Sequence, residues 1–409
     1  MRTLAVLHPS YAPPMSHSRP HIDTAGRRAR LGRRQLLADG HRADRVEEVA
    51  EAVVGLHASD PATVHLAACA RLAEPDPAEV ERALYDDGSL VRMLGMRRTL
   101  FAVGAGLVPV VASSTARAVA AKERAGLVRW LTEGAPGWDE RRLAEAEAKV
   151  LAVLGGRGAA TAAELTAEVP ELREAIVVSP GKPYQATVAF SSRILRVLAA
   201  EGRIRRGRPR GGWTSSSFRW TPSTAFAELP APPAPEARAA LARRWLASYG
   251  PATVEDLRWW TGWTLTATRQ ALATTGAVEV TLDGGTTGVA LPDDLGPVAA
   301  PEPWAALLPG LDPTTMGWKA RDWYLAPDQV PQLVDRSGNI GPTVWWDGRI
   351  IGGWAQRPNG EIVWRRLTDD GGSEAAAAVA DAAARLAAWV GEVRVTPRFR
   401  TPLERELSR

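Results

Sequence analysis

The sequence predicts an α+β protein: three tandem winged-helix units followed by a C-terminal antiparallel β-rich unit. Three observations carry this. Helix-period segments run into a strand hairpin at residues 203–220 and again at 278–291. A shorter hairpin pattern closes the first hundred residues. After residue 298 the regular elements are mostly short strands, joined by turns such as Asp347-Gly348. With 409 residues and 45% apolar content, the chain can fill several packed units and is not wholly disordered. No stretch approaches the roughly 18 uncharged apolar residues a membrane helix needs.

Residues 1–22 are rich in Pro and His and read as a flexible lead. Three histidines lie here, His8, His17 and His21, without ligand spacing on a regular element. The apolar stretch 4–7 is too short for a signal peptide.

The first unit, 23–132, opens on a basic helical stretch with Arg27, Arg28, Arg30, Arg33 and Arg34. Helices are predicted at about 43–54 and 62–72. Asp76-Pro77 caps a short one over 76–85. Strands at 90–94 and 99–103 are joined by a turn, 95–98, that is expected to expose Arg97 and Arg98.

The second unit, 133–222, has a helix at 143–154 and a capping box formed by Thr161 and Glu164. A third helix is predicted over about 185–201. The hairpin that follows concentrates Arg203, Arg205, Arg206, Arg208 and Arg210, ahead of Trp213 and a strand at 217–220. A Pro-rich linker spans 222–235. The third unit, 236–297, repeats helix, helix, helix and hairpin. The last, 298–409, carries strands at 343–346, 349–354 and 361–365, a helix at 374–390, and a closing strand at 393–395.

The single cysteine, Cys69, excludes a disulfide framework and a thiolate zinc cluster. Net charge is only +4, and nearly every base is arginine. A GC-rich genome accounts for much of that total, so position matters more than number. An arginine hairpin after a third helix is where a winged helix meets phosphates; a solvated charged turn is the alternative. The 16 Trp could stack bases, but those on strands and at helix ends read as packing. No Walker loop, dinucleotide-binding glycine pattern or nucleophile elbow occurs, and no metal or cofactor is expected. With one cysteine and no export signal, the expected compartment is the cytoplasm, associated with the nucleoid.

The candidate chemistry lies in Gly55-Leu56-His57-Ala58-Ser59-Asp60-Pro61. His57, Ser59 and Asp60 are too close in sequence for a hydrolase triad. His57 and His65 lack zincin spacing. His57 reads either as a catalytic group or as a structural cap.

Several segments resemble the bacterial winged-helix DNA glycosylases that excise N7-alkylguanine adducts and unhook crosslinks, including the azinomycin-resistance enzymes. They are residues 55–59, 90–92 with 98–100, 308–312, 335–349 and 396–404. The resemblance implies a monofunctional glycosylase for bulky N7-alkylguanine adducts, in repair or in self-resistance to a genotoxic natural product. It implies duplex DNA carrying alkylated guanine as partner, and action as a monomer. Known members carry Gln-x-Gln or Gln-x-Asp where this chain has His57 and Ser59. The expected catalytic set is His57, Ser59 and Asp60, with Asp60 or Ser59 fixing the His57 tautomer, or Asp60 facing the developing positive charge. The expected DNA contacts are Arg92, Arg97, Arg98, the five hairpin arginines and Trp213. A non-catalytic winged-helix DNA-binding protein is the alternative reading. A small-molecule or protein-interaction role for the Trp-rich unit is a third.

Overall fold

The computed structural model describes residues 19–179, 181–183, 185–223 and 230–409. Most of the N-terminal lead and the centre of the Pro-rich linker lie outside the described residues. The fold is α+β, and it is held together by apolar clusters that cross the sequence units.

In the first unit, Leu100–Gly104 is the central strand of a three-stranded antiparallel sheet, flanked by Leu56–His57 and Leu90–Leu94. The register sets His57 opposite Phe101, and Arg92 opposite Ala102. Helix Pro61–Cys69 starts abruptly after the first strand because Asp60 caps it and Pro61 occupies its first turn. Leu56, Val64, Leu90 and Ala102 close the core behind the sheet. The expected turn over 95–98 forms, with Arg97 (φ 52°) and Arg98 (φ 59°) both left-handed. Helix Arg117–Gly134, which has no capping signal in the sequence, carries the chain to the second unit. There Leu127 and Leu131 pack with Leu143, Val150 and Leu198.

The second unit contains helices Glu140–Arg157, Ala162–Glu168 and Phe190–Ala200, and the hairpin Ile204–Pro209 with Phe218–Pro222. Both halves of the Thr161–Glu164 capping box are made. The helix expected over 185–201 begins only at Phe190. Residues Ala186–Ala189 instead pair antiparallel with Ala175–Val178. Their β-branched Thr187 and Val188 face the Ile-Val-Val run of the partner strand, and that pairing outweighs helix propensity.

The third unit has helices Ala234–Tyr249, Val254–Thr261 and Leu265–Thr275, followed by the hairpin Val278–Thr281 with Thr287–Ala290. Gly262 and Gly276 end the second and third helices at φ 77° and 71°, the left-handed cap that glycine adopts without strain. Two N-terminal segments dock here. Residues 19–22, expected in the flexible lead, extend the hairpin: Ile22 N–H donates to Thr281 O, and Thr281 N–H to Pro20 O. Helix Thr24–Arg34, expected within the first unit, spends Arg30 and Arg34 on this body. Arg30 donates to the Asp294 carboxylate and to Gly296 O, and Arg34 to Asp294 and Gly250 O.

The last unit is a four-stranded antiparallel sheet in the order Ala305–Leu308, Thr343–Trp346, Arg349–Gln356, Ile362–Arg366. Helix Gly372–Val390 covers one face. The expected closing strand at 393–395 is absent. The Gln356 amide takes its place, donating to Val393 O (3.1 Å) and accepting Val395 N–H (2.8 Å). Arg71 and Asp312 join the first and last units in a pair with both side chains at 0% exposure. All five Arg71 N–H groups have acceptors: Gln35 O, Ala67 O, both Asp312 oxygens and Thr314 Oγ1. Most tryptophans are core, among them Trp245, Trp260, Trp318 and Trp345.

Candidate functional site

The first strand enters the site through Gly55 at φ 113°, where an added Cβ would lie 2.9 Å from Val103 Cγ1. Glycine is therefore needed for the chain to turn against the central strand. His57 follows, directed inward. It is 3% exposed, and its ring centroid lies 4.7 Å from that of Phe101. Neither imidazole nitrogen has a hydrogen-bond partner among the described residues. Burial, reinforced by the positive charge of Arg97, pushes its pKa down to about 3. The imidazole is thus neutral at physiological pH.

The expected coupling of Asp60 to His57 is not formed. Asp60 Oδ1 accepts Ala62 N–H (3.2 Å) and Oδ2 accepts the backbone N–H of Arg398 (2.9 Å). Capping the helix that starts at Pro61 fixes this carboxylate. Its second oxygen anchors the C-terminal segment beside the strand. Arg398 Nη1 also reaches Ser59 O at 3.5 Å.

Ser59 faces a groove between the first-unit hairpin, helix Phe190–Ala200, the arginine hairpin and residues 396–399. Two cavities make up this groove. One, of about 480 Å³, is lined by Ser59, Arg98, Thr99, Arg196 and Arg205 among others. The other, of about 640 Å³, is lined by Asp60, Thr214, Ser215 and Phe218 among others. Arg92, Arg206 and Arg398 line both. His57 lines neither.

The three shared arginines have no carboxylate partner among the described residues. Arg206 lies 4.4 Å from the Phe218 ring centroid, with its guanidinium stacked on aromatic surface. Burial lowers its pKa to about 10, and the charges of Arg92, Arg398 and Arg196 add to the effect. The three guanidiniums thus repel one another across the groove, and guanidinium donor forks match phosphate in geometry.

The remaining sequence candidates divide. Arg205 and Arg98 line the groove, although Arg98 is also paired with Glu123. Arg97 leaves it: the two left-handed residues send its guanidinium to the other face of the turn, 3.9 Å over Trp259. Arg203 pairs with Glu147 at 3.1 Å, and Arg208 with Asp86 at 2.8 Å, so each shares its charge with a carboxylate. Arg210 is exposed on the hairpin and lines neither cavity. Trp213 is no stacking platform. It is 8% exposed, packed 5.0 Å from His65 and 5.5 Å from Trp389, because the hairpin loop folds back onto the first and last units.

Sequence reasoning missed Arg196 and Arg398. Arg196 lies on the helix preceding the arginine hairpin, the expected recognition element, so its place was a readable signal. Arg398 lies in the segment 396–404, which resembles the glycosylases but contains no local pattern that singles out one arginine.

Among the described residues, no three His, Cys, Asp or Glu side chains come together as a metal site. Burial pushes the Cys69 thiol up to about 12, which makes it a poor nucleophile. No described helix is long and apolar enough to cross a membrane.

A family model described as DNA glycosylase AlkZ-like matches residues 50–389. The structure of the Streptomyces sahachiroi DNA glycosylase AlkZ is similar in fold, with a TM-score of 0.68 at 23% identity. The match covers 92% of this chain and 99% of that one. Among curated protein sequences, none matches.

Proposed function

The chain belongs to the AlkZ-like DNA glycosylase family, and from that premise we propose that it is a monofunctional glycosylase for bulky N7-alkylguanine adducts in duplex DNA. The observation that carries the proposal is the groove walled by Arg92, Arg206 and Arg398, none of them ion-paired among the described residues, with Ser59 on its lining. Phosphates flanking the lesion bind these guanidiniums, and the two cavities receive the adduct. The three helix-and-hairpin bodies are read as tandem winged helices, and the protein acts as a monomer on chromosomal DNA in the cytoplasm. Its setting is repair or self-resistance to an alkylating natural product.

The chemistry asks little of the protein. Alkylation at N7 makes the guanine cationic, so it departs as a neutral base without a general acid. A water must be placed at the anomeric carbon, and an oxocarbenium-like sugar tolerated beside it. Ser59 orients that water from the groove wall. His57, two residues earlier on the same extended segment, stays neutral and has two nitrogens free to accept or donate a hydrogen bond. Buried behind the groove wall, the neutral ring adds no positive charge near the forming cation. Asp60 acts as a positioning residue, holding Arg398 at the groove.

A second reading has one observation in its favour. His57 is closed off from both cavities and Asp60 is committed to backbone groups, as befits a lesion binder or regulator without catalysis. Incubation with a duplex bearing an N7-alkylguanine, followed by alkaline cleavage, separates the two. Strand scission at the adduct supports the glycosylase. Tight binding without scission across several adduct sizes supports the binder.

A further inference from the structure

The turn over 95–98 has one cationic surface on each side, and only one of them belongs to the groove. Arg98 lines the groove. On the other side Arg97 and Arg321 both lie against the Trp259 ring, at 3.9 and 5.3 Å, beside a cavity of about 260 Å³ that Lys319 also lines. The Arg97 guanidinium has no hydrogen-bond or acid partner among the described residues, and its Nε is buried. Arg321 is held by backbone carbonyls of Trp318 and Gly338, not by a carboxylate. Lys319 pairs with Glu255, which is shared with Arg258. Asp335, nearby in sequence to the lining residue Ser337, is occupied by the N–H groups of Ser337 and Asn339 and the Asn339 amide. The cavity therefore has a surplus of positive charge beside a flat aromatic face.

We infer that the Arg97–Trp259–Arg321 cavity is a second phosphate-binding site, occupied by a backbone phosphate of DNA that leaves the groove past the turn. The inference rests on the DNA-acting reading above only for the identity of the phosphate's carrier. Arginine donors supply the charge-assisted hydrogen bonds, and the indole holds both guanidiniums beside the cavity. Burial lowers the Arg97 pKa to about 10, with the charge of Arg321 as the next cause. An anion placed here relieves that repulsion.

The test compares full-length wild type with Arg321→Ala and with Lys319→Glu, on unmodified duplexes of two lengths. The short duplex spans only the groove, and the long one extends well beyond it. Lys319→Glu leaves the Arg321 hydrogen bonds intact, so it guards against local misfolding. Wild type should bind the long duplex more tightly than the short one. Both variants should lose that increment, and Arg321→Ala should lower the long-duplex salt slope by about 0.9 for each phosphate it no longer neutralises. Short-duplex affinity should be unchanged in both. Equal long-duplex affinity and salt slope in wild type and both variants would overturn the inference. So would pyrophosphate that binds wild type but not Arg321→Ala while the long duplex gains nothing from the site, since the cavity would then serve a small phosphate ligand. Excision from the short duplex is scored in parallel. Its absence counts against the glycosylase reading, while the length increment is measured independently.

Discussion

Replacing His57 with Gln tests the electrostatic state of the candidate site through stability. The folded protein holds the imidazole neutral, with its pKa pushed down to about 3, first by burial and then by Arg97. In the unfolded chain the imidazole takes up a proton below about 6.5. As pH falls, the unfolded state therefore binds more protons than the native state at this position. Stability from the neutral imidazole is fully present above about pH 6.5 and is lost progressively towards pH 3. At pH 5 the unfolded group lies about 1.5 units below its own pKa, which corresponds to about 2 kcal/mol at 1.36 kcal/mol per unit. His65 carries a similar penalty, its pKa lowered to about 4 by burial despite a hydrogen bond with Pro61 O. It is present in both proteins and cancels in their difference. Urea unfolding at pH 7.5 and pH 5 should therefore show His57→Gln losing about 2 kcal/mol less than wild type over that interval. Parallel losses in the two proteins would mean that His57 is solvated or charged in the native state. The neutral-imidazole role would then be wrong.

Three further outcomes follow from the packing and the groove. Asp312→Ala leaves the fully buried Arg71 guanidinium uncompensated and should cost about 3–5 kcal/mol by urea unfolding. A change within experimental error would show that water reaches the pair. Arg206→Ala should weaken binding to every duplex sequence alike and lower the slope of log affinity against log salt by about 0.9; an unchanged slope would remove Arg206 from the phosphate-binding set. Trp213→Ala should destabilise by about 3–5 kcal/mol, with the salt slope of DNA binding kept. Loss of DNA affinity at unchanged stability would restore the stacking role.

What could be read ahead of the structure was mainly local. The Thr161–Glu164 capping box, the Asp76-Pro77 helix start and the Asp347-Gly348 hairpin each depend on side chains a few residues apart, and each formed. What the sequence does not show is what distant partners decide. Nothing near Arg203 or Arg208 in sequence reveals the carboxylates Glu147 and Asp86 that neutralise them. Trp213 follows a basic run and resembles a stacking residue until Trp389, far along the chain, is brought against it. Residues 186–189 read as the start of a helix because their strand partner lies beyond a turn. Within the candidate site, proximity in sequence singles out the loop 55–61 as a proposal but not how its side chains are held. Pairing with the central strand buries both Leu56 and His57, and the following helix claims Asp60; both outcomes depend on backbone geometry that residue types alone do not specify.

The most direct test of the central claim is single-turnover excision from a duplex carrying one N7-alkylguanine, read by alkaline cleavage. Filter binding is run on the same samples. Wild type should convert the adduct site to an abasic site, and His57→Ala should greatly slow that conversion while retaining DNA affinity. Retained binding with no abasic product from wild type, across adducts from small to bulky, would contradict the account and leave a DNA-binding protein without glycosylase chemistry. Near-normal rates in His57→Ala would keep the activity but remove this histidine from it.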